Sequence, residues 1–69
     1  MPRKLRQLRS DLRRAGFQMQ PSRGKGSHTW WVHPQLPGFA VNLSGQDGAD
    51  ARPYQEDVVK DALKKVKEV

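Results

Sequence analysis

Leucines at positions 5, 8 and 12, followed by Ala15, recur at intervals of three and four residues. That spacing puts all four on one face of a helix running from about Arg3 to Ala15, with Pro2 near a first turn that needs no amide proton from it. At about 100° per residue, Arg9, Arg13, Arg6, Arg3 and Arg14 fan out along the flank beside this stripe. One side of the helix is therefore expected to dock and the other to stay charged. Burying the three leucines contributes gross stabilisation on the order of 5 kcal/mol, enough to fix the helix and aim the arginines. Gly16 falls where a left-handed residue closes a helix, and Phe17 is placed to fold back on Leu12.

The period then changes from helical to alternating. Phe17-Gln18-Met19-Gln20 reads as a first strand, broken by the turn-forming run 21–26. His28 to His33 is aromatic and β-branched enough for a second strand, closed by Pro34, and Phe39 to Leu43 for a third, with Phe39, Val41 and Leu43 on one face. Alternation sends His28, Trp30 and Val32 one way and Trp31 and His33 the other, with Trp31 taken as the inward ring. A polar loop, 44–52, leads to Pro53 and a helix of about Tyr54 to Glu68, whose apolar stripe is Val58, Val59, Ala62, Leu63 and Val66. Acidic residues near its start and lysines near its end agree with the helix dipole. The order α-β-β-β-α predicts an α+β fold: a three-stranded antiparallel meander with both helices on one face and the other face wet. No repeat or linker divides residues 1–69, so a single domain is expected.

Composition narrows the field of functions. The 69 residues contain no cysteine, which removes disulfides and thiolate metal sites and suits a reducing cytoplasm. Apolar runs no longer than three residues, such as Trp30-Trp31-Val32, offer neither a signal sequence nor a membrane span, so a soluble intracellular protein with no membrane partner is expected. The net charge of +6 is unevenly spread. Residues 1–28 carry eight cationic side chains against Asp11 alone, whereas residues 29–69 carry five against six acidic ones. A field of one sign in the first half attracts a polyanion, most simply nucleic acid, although a basic surface also serves solubility.

The candidate chemistry lies in that basic half. In the stretch Gly24-Lys25-Gly26-Ser27-His28, the glycines let the backbone approach an anion, Lys25 brings charge, Ser27 a hydroxyl, and His28 a group of the type that exchanges protons near neutral pH. RNA carries its own nucleophile in the 2′-hydroxyl, so proton transfer, charge stabilisation and alignment suffice for cleavage, with His28 as base or acid. A single such group is worth roughly 10²- to 10⁴-fold in rate. Arg23, Lys25, Ser27, Gly24 and Gly26, with Arg6, Arg9 and Arg13 on the helix, are the candidate phosphate contacts. His33 lies an odd number of residues from His28 beside Pro34, which points to a strand-end role. Two histidines without a third matched ligand make a poor zinc site, and no metal or other cofactor is expected.

Gly16-Phe17, Gly24-Lys25-Gly26-Ser27-His28 and His33-Pro34, set between a leucine-and-basic helix and a second helix, resemble the HicA family of toxins over nearly the whole chain. Ser44-Gly45 and Asp50-Ala51-Arg52-Pro53-Tyr54-Gln55 are similar to a loop in a branch of that family. The resemblance implies a double-stranded-RNA-binding-like fold, a ribosome-independent mRNA interferase with His28 as the catalytic histidine, mRNA as substrate, and a HicB-like antitoxin as protein partner. Many members carry a further histidine after the third strand, where this chain has Ser44. A non-catalytic RNA-binding module of the same fold is the alternative.

Overall fold

The computed structural model describes residues 3–20 and 28–69, and these form an α-β-β-β-α chain: α1 (Leu5–Arg14), β1 (Gln18–Met19), β2 (Thr29–Val32), β3 (Ala40–Leu43) and α2 (Pro53–Lys67). The strands make one antiparallel sheet in the order β1-β2-β3. Met19 pairs with Trp31, which pairs with Val41, and Thr29 pairs with Leu43. Directly paired residues share a face. The helix side of the sheet therefore carries Met19, Thr29, Trp31, Val41 and Leu43, and the open side carries Gln18, Trp30, Val32, Ala40 and Asn42. Trp31 is the inward ring, only 1% exposed, while Trp30 is half-buried on the open side.

Both helices cover the same face, because their apolar stripes meet one core. Leu5, Leu8 and Leu12 of α1 and Val59 and Ala62 of α2 pack with Trp31, Val41, Leu43, Phe17 and Ala51. The end of α1 follows from its sequence. Gly16 has φ +101°, its N–H donates to Arg13 O, and the N–H of Phe17 donates to Leu12 O at 3.0 Å. This double closure turns Phe17 into the core, so β1 begins only at Gln18. The start of α1 is less local. Lys4 is extended and bridges to Asp50, so the helix begins later than its periodicity suggests. The N–H groups of Leu5 and Arg6 donate to Ala49 O and Asp47 O, carbonyls of the 44–52 loop lying across the helix end.

Each helix opens with the same device. A glutamine in the first turn accepts the N–H of the residue before the helix: Gln7 from Lys4 and Gln55 from Arg52, both at 2.8 Å. Gln55 is 2% exposed, and its amide also donates to Ser44 O at 2.9 Å. This corrects the expected stripe of α2. Gln55, Val59, Ala62 and Val66 form the inner row, and Val58, roughly 70° round the helix from its centre, is 39% exposed.

Candidate functional site

The two histidines of the chain occupy opposite situations. His33 is 8% exposed at the end of β2. Its Nδ1 accepts the N–H of Gln35 at 3.1 Å, which leaves Nε2 as the protonated nitrogen donating to Ala15 O at 3.0 Å. Its ring meets Phe17 edge-on, with centroids 5.1 Å apart. The imidazole thus joins the end of β2 to the end of α1, the strand-end role expected of it. His28 is exposed immediately ahead of β2, and no hydrogen bond holds its ring among the described residues. Arg23, Gly24, Lys25, Gly26 and Ser27 lie outside the described residues.

Next to His28, Thr29 belongs to the floor of an open groove of about 700 Å³. Arg6, Arg9 and Arg13 of α1 form one wall, Met19 and Trp31 the sheet side, and Gly45, Gln46 and Asp47 the far lip. His28 precedes Thr29 by one residue and does not itself line the groove; consecutive Cα atoms are about 3.8 Å apart, which sets how near its backbone lies to the groove residue Thr29.

Arg9 departs from the solvated fan. It lies roughly 70° from the centre of the leucine stripe, against roughly 110° for Arg13 and 130° for Arg6, so it is the arginine nearest the core. Its residue exposure is 8%. Nε donates to Thr29 Oγ1 at 3.2 Å, Nη2 to Gly45 O at 2.6 Å and to Leu43 O at 3.4 Å, and Nη1 pairs with Asp47. Thr29 Oγ1 also accepts Trp31 Nε1 at 3.0 Å and donates to Leu43 O at 3.1 Å. One guanidinium therefore ties together α1, the head of β2, the end of β3 and the following loop. The Arg13 guanidinium lies 5.5 Å from the Trp31 ring centroid, covering the indole from the groove side.

The rest of the fan is divided. Arg3 donates to Asp11 at 2.5 Å, a contact that raises its already high pKa, and it lies away from the groove. Arg6 and Arg13 are exposed and line it. The sequence signal for Arg9 was its angular position next to the leucines; its partner Asp47 carries no local signal. Thr29, not singled out from sequence, is the hydroxyl on which the network converges. Among the described residues no three His, Cys, Asp or Glu side chains come together as metal ligands, and no helix is long and apolar enough to cross a membrane. The chain matches no family model, no curated protein and no solved structure.

Proposed function

We propose that this protein is an endoribonuclease that acts on mRNA in the cytoplasm, with His28 moving the proton and the arginine-lined groove holding the phosphodiester backbone. The observation that carries this reading is the position of His28: an exposed imidazole, unbonded among the described residues, next in the chain to Thr29, which lines a groove together with Arg6, Arg9 and Arg13. His33 is a poor candidate, because both of its nitrogens are already engaged.

In the proposed reaction the RNA 2′-oxygen attacks the adjacent phosphorus and loses its proton. The bond from phosphorus to the 5′-oxygen breaks, and the leaving oxygen gains a proton. The products are a 2′,3′-cyclic phosphate and a 5′-hydroxyl. His28 supplies one of the two proton transfers, and cationic side chains nearby offset the charge that builds on the phosphoryl oxygens. The likeness of Gly24 to His28 and of the helix-flanked order to HicA toxins supports placing the protein in a toxin–antitoxin pair. Its partner would be an acidic, HicB-like antitoxin covering the basic surface around His28.

The test is His28→Ala. Because the side chain is exposed and carries none of the core, the variant is expected to fold and bind RNA as the parent does, while cleavage and growth arrest fall by at least about 10²-fold. Cleavage at the parental rate would remove His28 from catalysis. Cleavage by neither protein, with RNA binding retained, would favour the non-catalytic module, which the groove alone suffices to support.

A further inference from the structure

We infer that the groove between α1 and the sheet is a built site for one phosphodiester group of a nucleic acid backbone, with Asp47 occupying the anion position until the ligand arrives. The site deepens the proposed function and rests on it for the identity of the nucleic acid, but not on any catalytic role for His28.

Three features converge. Arg6, Arg9 and Arg13 occupy successive turns of one flank of α1, spanning about 10 Å at 1.5 Å per residue, and all three line the same groove. Asp47 is the single carboxylate of that lining among the described residues, and it sits on Arg9. The pair is lopsided: the Arg9 side chain is 9% exposed and that of Asp47 72%.

That asymmetry decides which partner is replaceable. Asp47 can swing into water at small cost, since exposed carboxylates lose little when an ion pair opens. Arg9 cannot follow. Its Nε and Nη2 are held by Thr29 Oγ1 and by the carbonyls of Gly45 and Leu43, so the guanidinium keeps its place when Asp47 leaves. The position that the carboxylate held on this nearly buried cation is then open to another anion. A phosphodiester entering between Arg6 and Arg13 supplies one and gains both exposed arginines of the lining as further donors. Planar guanidinium groups suit phosphate oxygens. Asp47 thus acts as an internal competitor that sets a threshold for binding.

The experiment uses a fluorescent single-stranded 2′-O-methyl RNA, which lacks the attacking hydroxyl and so cannot be cleaved by this route. Its affinity is measured by anisotropy across a salt series. Asp47→Asn is expected to tighten binding about fivefold at low salt and to steepen the slope of log K against log salt by about 0.7, one single-strand phosphate contact. Asp57→Asn on α2 changes net charge equally, but its side chain lines a different depression. It should leave the slope unaltered. Arg13→Gln, at an exposed position, should weaken binding and flatten the slope by the same step.

If Asp47→Asn and Asp57→Asn behave alike, or Arg13→Gln binds as the parent does, the groove is not the anion site. Loss of cleavage in His28→Ala beside unchanged binding in the groove variants would leave the ribonuclease reading standing and sink this one. The expected groove effects beside cleavage that ignores His28 would do the reverse.

Discussion

Replacing Arg9 by methionine and, separately, Asp47 by asparagine asks whether the groove floor is held by an ion pair or by a cation on backbone carbonyls. Methionine keeps most of the buried stem, so packing changes little. What disappears is the set of bonds to Thr29 Oγ1, Gly45 O and Leu43 O. Leu43 O retains the Thr29 hydroxyl, and Thr29 Oγ1 retains Trp31 Nε1. Gly45 O loses the shortest of these bonds, at 2.6 Å, with no substitute among them. A hydrogen bond to a charged group contributes about 1.5–3 kcal/mol, so Arg9→Met should cost about 2–3 kcal/mol in all.

Asp47→Asn should cost under about 1 kcal/mol, since the carboxylate is 72% exposed and the asparagine oxygen still accepts from Nη1. Total stability for a domain of 69 residues is roughly 3–10 kcal/mol, so the difference is easily read. Urea unfolding followed by tryptophan fluorescence should show the Arg9→Met midpoint falling by roughly 2 M at an m-value near 1 kcal/mol/M, with little movement for Asp47→Asn. Equal losses in the two variants would refute the reasoning, because the pair itself would then be the anchor and Asp47 could not be exchanged for a ligand.

Two other substitutions test the assignment of buried polar groups. His33→Phe keeps a ring against Phe17 but strands Ala15 O and the Gln35 N–H; it should lose roughly 2–3 kcal/mol in thermal unfolding, with the proposed RNA cleavage, per folded molecule, unchanged. Gln55→Ala should cost about 2 kcal/mol in urea unfolding by freeing Ser44 O and the Arg52 N–H, while Val58→Lys should stay within about 0.5 kcal/mol; the opposite ranking would return Val58 to the core.

Helical and strand periods were enough to place the leucine stripe, the closure at Gly16, the three strands and the inward Trp31, because each is fixed by residues within a turn or two of one another. Arg9, Gln55 and Val58 were harder. Arg9 and Val58 sit near the border of an apolar stripe, where the angle on the helix is known but the second covering surface is not, and Gln55 lies on the inner row as a polar residue whose partner, Ser44 O, is remote in sequence. For Arg9 that surface is the loop carrying Gly45 and Asp47, more than thirty residues away, and no local pattern announces it. His28 stood out by its neighbours in sequence. The groove lined by the next residue, Thr29, emerged only when α1, β2 and the 45–47 lip were brought together.

The way α1 is closed has a consequence for how the domain comes apart. Ten residues are too few to stay helical alone in water. Its first amides are satisfied by carbonyls of residues 47 and 49, and the carbonyl of Ala15 just past its end by His33. Neither end can persist once the distant chain withdraws, so the helix, the loop and the sheet lose their order in one cooperative step. The arginines of the groove have no partial version of their arrangement. An anion bound among them would therefore raise the melting temperature of the whole domain, and a solution rich in polyphosphate would look to this protein like a cooler one.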